Sequence, residues 1–577
     1  MNSSTTHDRR ARVASLALLA TTIWFVPWLI AHANMSRAWL TVPFVAATLI
    51  VVAASLCSAV NRWHRAVPDP APVAPGAEPM VAVIIPTLRE PLAFLEATVR
   101  SVLDQDWPAD RLWVLVSDDG ADERVRELVN ELALAYPRTR LRYHRPPPRG
   151  NTQRKGDAKA GNLNSALAVL PADIRFIETR DADDLVAEPR FLRETVGQLL
   201  ADYKLAFVQT IKTGEVSPHD PFDNQQPHFF QCAMLSRHAA NAVFSCGSGV
   251  VWRRLALHDI GGFPTWNLVE DLQSGVEVLR RGWHSCYLPI VGAYAQHSPE
   301  DLANFVKQRG TWALDTVRLM LWLPKRGLNL RQRLQFYELG LFYMQGPATL
   351  VFLLAPILGF AGHWYPVLTT TQSFVLHFWP FAVALELYLA SVHRPVSLEQ
   401  MWRARLVWAG LCFVYAGACL RAVIGGRSGK PRYVVTRKEN RMAWHWRHVV
   451  PHFVLLVMLA ASVVWSLAHR SLLTSFDVGS AYWAGLYSLL LLGFIRLSWH
   501  GIPTPGQRLL RAGAAVMHGS VAESSSPPAV ASAPTLAPEP QYGAALPEIT
   551  AGPQISMTRA PQLSSGSTLI TSADAES

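Results

Sequence analysis

Six apolar runs decide what this chain can be. Residues 13–30, 40–60, 341–361, 374–391, 449–467 and 482–497 are almost wholly apolar, and a bilayer span takes about 20 such residues. At 577 residues, 50% of them hydrophobic, the chain is too long for one core, and blocks of this kind predict a polytopic α-helical membrane protein. Arg9, Arg10 and Arg12 precede the first run, and Arg62, His64 and Arg65 follow the second. The positive-inside bias therefore predicts a hairpin with both ends cytoplasmic. Ala31-His32-Ala33 resembles the small-residue cleavage site of a secretory signal, but a second span follows at once, which a signal peptide does not require. A seventh run, 406–420, is short and has Arg403 and Arg405 before it and Arg421, Arg427, Lys430 and Arg432 after it. Charge on both flanks predicts a helix lying in the cytoplasmic interface. Basic juxtamembrane segments on an anionic leaflet account for the net charge of +10 without a nucleic-acid partner. The six cysteines show neither metal-ligand spacing nor a paired framework.

The long interval between the second and third runs has a soluble domain's pattern. Residues 67–79 hold five prolines and read as a stiff linker. A strand at 81–85, a helix at 92–103 with Leu92, Leu95, Val99 and Leu103 on one face, and a strand at 112–116 follow. Strand, helix, strand in that order is a parallel α/β unit. A loop at 146–150 and a helix at 159–170 lead to an apolar strand carrying Ile174, Phe176 and Ile177, and another strand follows at 205–209.

Two of these strands end in acids. One runs into Ser117-Asp118-Asp119-Gly120, the other into Asp181-Ala182-Asp183-Asp184. Ligands of open α/β sheets bind at the carboxyl ends of strands, so these acids converge on one edge. Asp181 and Asp183 can meet one hard cation through oxygen while phosphates complete its shell; taken alone, the stretch is also compatible with a solvated turn. Glu270 and Asp271 open a helix running to about Arg281, where carboxylates either complement the helix dipole or act chemically. A helix with Phe305, Gln308, Arg309 and Trp312 leads toward the membrane runs, where Trp312 is compatible with an interfacial aromatic anchor. Residues 503–577, rich in Ala, Ser and Pro, read as a disordered tail.

The motifs, in order, are Pro86-Thr87-Leu88-Arg89-Glu90, Asp118-Asp119-Gly120, Lys159-Ala160-Gly161-Asn162, Asp181-Ala182-Asp183, Val208-Gln209-Thr210, Cys246-Gly247, Val269-Glu270-Asp271, Gln308-Arg309-Gly310-Thr311-Trp312 and Tyr433-Val434-Val435-Thr436-Arg437-Lys438. In this order and between membrane runs, the set resembles the processive glycosyltransferases of family 2, in particular bacterial cellulose synthase catalytic subunits. The resemblance covers roughly residues 80–441. It implies a GT-A-like α/β glycosyltransferase domain facing the cytoplasm, inserted in about six transmembrane helices of the plasma (inner) membrane.

The same resemblance implies roles. Thr87, Glu90, Asp118 and Asp119 would hold the uridine, and Lys159 would reach the phosphates. Asp181 and Asp183 would coordinate the diphosphate and its Mg²⁺ or Mn²⁺. Asp271, with Glu270 beside it, would be the general base, Cys246, Gln308, Arg309 and Trp312 would line the acceptor site, and Thr436 and Lys438 would belong to a gating loop. The expected partners are a UDP-sugar, a growing glycan and the bilayer, with room for an accessory export subunit. The expected activity is a UDP-forming hexosyltransferase polymerising a cellulose-like β-glycan from UDP-glucose and translocating it; the alternative is nonprocessive transfer to a lipid acceptor. Two departures bear on substrate and linkage: Thr311 stands where the family's Q-x-x-R-W has arginine, and Leu88-Arg89 replace the centre of P-T-Y-N-E. The expected segments are an N-terminal hairpin (1–66), linker (67–79), catalytic domain (80–335), spans three and four (336–391), interface helix and gating loop (392–447), spans five and six (448–502) and tail (503–577). No cyclic-dinucleotide control by this chain is expected.

Overall fold

The computed structural model describes residues 2–217, 221–393, 396–429, 445–469 and 475–499. The expected gating loop, with Thr436 and Lys438, and the expected tail at 503–577 lie outside the described residues.

Helices α1 (Asn2–Ala31) and α2 (Ala38–Asn61) form the leading pair. The proline-rich segment that follows is not free-standing. Val73 is buried and donates its N–H to the Arg193 carbonyl at 3.0 Å, and Gln198 donates to the Asp69 carbonyl at 2.6 Å. Gly197 leaves room there for the Ala71 carbonyl, which a β-carbon would strike.

The α/β domain then runs β1 (Val81–Thr87), α3 (Leu92–Leu103), β2 (Leu112–Asp118), α4 (Glu123–Ala135), β3 (Arg140–His144), α5 (Ala158–Val169), β4 (Phe176–Thr179), β5 (Asp184–Leu185), α6 (Phe191–Ala201), β6 (Leu205–Gly214), α7 (Met234–Ala239), β7 (Val250–Arg253), α8 (Arg254–Asp259), α9 (Glu270–Arg280) and β8 (His284–Ala295). Its eight-stranded sheet has the order β3-β2-β1-β4-β7-β6-β8-β5. The expected parallel unit is present, with β1 paired in parallel to β2 on one side and β4 on the other. β7 reverses direction between β4 and β6, so the sheet as a whole is mixed.

β1 is covered on both faces, which is why it is an unbroken apolar run rather than an alternating one. Val81, Val83 and Ile85 face Leu95, Val99 and Val102 of α3, while Ala82 and Ile84 face Ala160, Leu163 and Ala166 of α5. At about 2 kcal/mol per buried aliphatic side chain, these two faces hold the centre of the sheet rigidly under the site.

After the sheet come α10 (Leu302–Trp322), α11 (Leu330–Gly362), α12 (Thr371–Val392), α13 (Leu398–Gly410), α14 (Cys412–Ile424), α15 (Trp446–His469) and α16 (Ser475–Leu497). Among the described residues six helical segments are long and apolar enough to cross a membrane: Arg9–Ala31, Met35–Asn61, Leu330–Gly362, Thr371–Val392, Trp446–His469 and Asp477–Leu497. They coincide with the six runs read from sequence.

The single interface helix expected at 406–420 is instead two, α13 and α14, bent by 51°. The break follows Gly410, whose missing side chain admits the Phe494 ring and whose carbonyl lies 2.7 Å from His452 Nε2. α14 then packs on α10 and α11, with Val414 against Gly310 and Tyr415 against Gly346. The end of α2 is locked to α11 and to the α/β domain by polar groups. Arg62 pairs with Glu338, Asn61 donates to Glu338 at 2.7 Å, and Arg237 donates to the Gln335 carbonyl at 2.9 Å.

Candidate active site

The parallel strands β1, β2 and β4 deliver their acids side by side. Thr87, at the end of β1, is in register with Asp118 at the end of β2. Its carbonyl accepts the Asp119 N–H at 2.9 Å. Thr87, Asp118 and Asp119 therefore lie together at the ends of β1 and β2, and Glu90 follows three residues after Thr87 with its Oε2 buried. The two aspartates, however, are already engaged. Asp118, 1% exposed, accepts the N–H groups of Gly120 at 2.8 Å and Asp122 at 2.7 Å and the Tyr143 hydroxyl at 3.3 Å. It builds the turn. Asp119 pairs with Arg149 at 2.9 Å and with Arg154. The Arg89 departure has a local consequence, since Arg89 is held at φ 59°, a left-handed conformation that Asn tolerates better than Arg.

At the end of β4 the turn carrying Asp181 is set from behind by a buried arginine. The Arg180 guanidinium pairs with Glu178 at 2.5 Å and donates to the carbonyls of Leu185 at 2.8 Å and Gly292 at 3.0 Å; both Arg180 and Glu178 are wholly buried. Sequence reasoning missed this pair. The Asp181 side chain faces two ammonium groups, Lys159 from α5 on Oδ1 and Lys212 from β6 at 2.7 Å from Oδ2. Burial works against charge on Asp181, yet the two lysines prevail and hold its carboxyl well below the usual carboxylate range. Lys212, also unforeseen, lies 2.7 Å from Asp184 as well.

Lys159 further contacts the Gly247 carbonyl at 3.3 Å and Glu270 at 3.7 Å. Burial opposes its charge, but Asp181 and Glu270 raise its pKa, so it stays an ammonium. Gln209 shapes the adjoining loop, accepting the Cys246 N–H at 2.7 Å and donating to the Ser248 carbonyl at 3.1 Å. Gly247, at φ 82°, must be glycine for two reasons. Its backbone is left-handed, and a β-carbon would stand 2.9 Å from Asp271 Oδ2 and 3.2 Å from Lys159 Nζ.

Glu270 and Asp271 occupy the first turn of α9. Asp271 Oδ1 accepts the Leu272 N–H at 2.6 Å, a capping role, while Oδ2 is turned to Gly247. One oxygen thus serves the helix start while the other stays turned toward the Gly247 loop. Burial, then Glu270, push the Asp271 carboxyl up to about 7, against the pull of Lys159, and a base poised there suits proton transfer at neutral pH.

The loop entering α9 is held from α10. Asp315 Oδ2 accepts the N–H groups of Leu268 at 2.7 Å and Val269 at 2.9 Å, and Arg318 donates to Asn267 at 2.9 Å beneath the Trp266 ring. Nearer the start of α10, the Arg309 guanidinium lies 4.9 Å from the Phe305 ring centre and 4.8 Å from that of Trp312. The Thr311 hydroxyl turns back to the Lys307 carbonyl at 3.0 Å. Gln308 and Trp312 are half-buried on the same helix.

The residues fit a hard divalent cation only as an open site. No three His, Cys, Asp or Glu side chains among the described residues form a closed metal cage. Asp181 and Asp184 share Lys212, on which the Asp183 charge also acts, and one or two carboxylates are what Mg²⁺ takes from a protein when phosphates supply the remainder.

Residues 78–314 match the profile described as glycosyltransferase like family 2. A putative cellulose synthase 2 of Komagataeibacter xylinus is 28% identical over 454 residues, covering 72% of this chain and 27% of that protein. The UDP-forming cellulose synthase catalytic subunit of Pseudomonas fluorescens is 33% identical over 297 residues, 48% of this chain and 37% of that protein. The chain thus spans well under half the length of these relatives. Among solved structures, a mannosyltransferase of Pyrobaculum calidifontis, in complex with GDP-Man and Mn²⁺, matches 66% of this chain and 99% of its own with a TM-score of 0.49 and 20% identity. Residues 78–314 thus resemble the family 2 glycosyltransferases, and the chain is similar to cellulose synthase catalytic subunits.

Proposed function

We propose that this chain is a membrane-embedded, processive, inverting glycosyltransferase that extends a cellulose-like β-glycan from a UDP-sugar, UDP-glucose first among them, and passes it across the bilayer. The observation that carries the reading is the tie between chemistry and conduit: Asp315 on α10 holds the loop that sets Asp271, and the same helix bears Trp312 and leads into the apolar α11. The domain would face the cytoplasm at the plasma (inner) membrane, with an accessory subunit receiving the product.

In this mechanism Asp271 Oδ2 takes the proton of the acceptor hydroxyl as its oxygen attacks the anomeric carbon. The bond to the UDP oxygen breaks on the opposite face, which inverts the configuration. Glu270 keeps Asp271 basic enough for the task, and Gly247 leaves the acceptor's approach open. Lys159 places positive charge beside Asp181 where the diphosphate arrives. Asp181 and Asp183 would hold a divalent cation, Mg²⁺ or Mn²⁺, which when bound neutralises the leaving diphosphate as a Lewis acid. Trp312 offers an indole face to the acceptor sugar, held in place by Arg309.

The test is purified protein in proteoliposomes, given a panel of UDP-sugars and Mg²⁺ on the side where the domain is exposed. Release of UDP together with long chains accumulating in the lumen is the expected result. Products of one or two sugars on lipid, even after long incubation, would refute polymerisation and establish the lipid-acceptor alternative.

A further inference from the structure

Lys212 belongs to none of the roles assigned above. It stands on β6 three residues beyond Gln209, with its side chain 28% exposed. A lysine ammonium carries three N–H donors. Asp181 Oδ2 accepts one of them at 2.7 Å, and Asp184 Oδ2 lies 2.7 Å away as an ion pair. Lys159 differs, because Asp181, the Gly247 carbonyl and Glu270 surround its ammonium on three sides.

Among the described residues, four arginines near the strand ends and on α10 are committed elsewhere. Arg149 and Arg154 are on Asp119, Arg180 is spent on Glu178 and two carbonyls, and Arg309 lies against aromatic rings. Thr311 carries no charge and its hydroxyl is bonded to Lys307. Yet a diphosphate entering this site meets Asp181, Asp183, Asp184, Glu270 and Asp271, so the anion needs positive charge that is both close and able to turn toward it. Lys is a point charge on a flexible stem, suited to such a swing.

We propose that Lys212 is a diphosphate-contacting residue, donating an N–H that Asp181 does not take to a β-phosphate oxygen of the bound nucleotide sugar. This rests on the UDP-sugar reading above and names a contact within it. The competing role is structural, since Lys212 is also the cation beside the fully buried Asp184.

Calorimetric binding of UDP and of UMP to the purified full chain separates the two roles. A charge-assisted hydrogen bond lost from the β-phosphate lowers UDP affinity about ten- to a hundredfold. Lys212→Met is expected to show that loss for UDP and none for UMP. The double variant Asp184→Asn/Lys212→Met removes the buried charge together with its counter-ion; it is expected to keep the UDP deficit, and Lys212→Arg to restore part of the affinity. Recovery of full UDP affinity in the double variant, or an equal loss for UDP and UMP, would overturn the proposal. If the unmodified chain binds no UDP, the function proposed above falls and this contact with it.

Discussion

Replacing Asp271 by asparagine tests the physics of the site as well as its chemistry. In the folded protein burial and Glu270 push the Asp271 carboxyl from an ordinary 3.8 up to about 7. A carboxyl whose folded pKa is raised holds its proton more tightly in the folded than in the unfolded chain. Its contribution is therefore most favourable below about pH 4 and is lost as pH climbs toward 7. Keeping that carboxyl ionised in the folded chain destabilises the wild-type protein at pH 8 by on the order of a few kcal/mol. The substituted amide would not ionise, and its carbonyl could still accept the Leu272 N–H that Asp271 now accepts at 2.6 Å. Asp271→Asn should thus transfer no sugar, bind UDP as wild type does, and melt several degrees higher at pH 8, with a much smaller gain at pH 5. The assay is thermal unfolding of both proteins in detergent with EDTA at the two pH values, alongside UDP release by wild type from pH 6 to 8. The wild-type rate should rise with pH through about 7 as the base is freed. A variant no more stable than wild type at pH 8, or a flat wild-type rate profile, would refute the placement of Asp271 as a buried base.

Asp181→Asn should weaken metal-dependent UDP binding, measured by calorimetry with and without Mg²⁺, and equal affinity in both proteins would contradict its assignment. Gly247→Ala places a β-carbon 2.9 Å from Asp271 Oδ2 at φ 82°; we expect about 1–2 kcal/mol lower stability and about a hundredfold lower kcat, and near-normal turnover would count against a close fit there. Asp315→Ala strips the acceptor from the N–H groups of Leu268 and Val269, which should lower stability by about 1–3 kcal/mol and slow transfer without changing UDP affinity, whereas Asp315→Asn should recover part of the rate. Reporters fused at Gly76, Ser428 and the C-terminus should all register the same face of the membrane, with one between Gly362 and Thr371 on the other; an opposite signal at Ser428 would make the bent pair α13 and α14 a full crossing.

What the sequence made legible is what a single segment can encode. The helix expected at 92–103 is found at Leu92–Leu103, and that expected at 159–170 at Ala158–Val169, because apolar spacing fixes a buried face without reference to the rest of the chain. β7 and β8 went unread. The first is four residues long, and the second carries Pro289 and Gly292 and departs from the regular register against β6, so neither displays a clean alternation. The site divides in the same way. Asp181, Lys159 and Asp271 carry motifs and were anticipated. Glu178 and Arg180 look in sequence like the exposed face of a strand, yet they pair with each other in the interior. Lys212 acquires meaning only when β6 lies across from the turn at Asp181, and Asp315 only when α10 reaches the loop before α9. The engagement of Asp118 by Gly120 and Asp122 was legible in principle, since Asp commonly accepts the backbone N–H two residues on.

The most consequential of these unread contacts make α10 the element that sets distances in the site. Trp312, Asp315 and Arg318 are three residues apart in turn, so they rise along one side of a single helix at about 1.5 Å per residue. Trp312 is braced by Arg309, Asp315 holds the backbone immediately before Glu270, and Arg318 holds Asn267 and stacks over Trp266. A sugar lying on Trp312 would therefore be placed relative to Asp271 by one rigid rod and two hydrogen bonds, with no long connection between them. α14 closes on the same rod, through Val414 against Gly310 and through the Trp322 indole donating to the Ala422 carbonyl at 2.9 Å. The end proposed for the nucleotide is built from the strand ends and Lys159, which also reaches Glu270 at 3.7 Å. Under the function proposed above, α10 would hold the acceptor while the donor exchanges at the sheet edge, the condition a polymerase must meet to keep its product in register from one addition to the next.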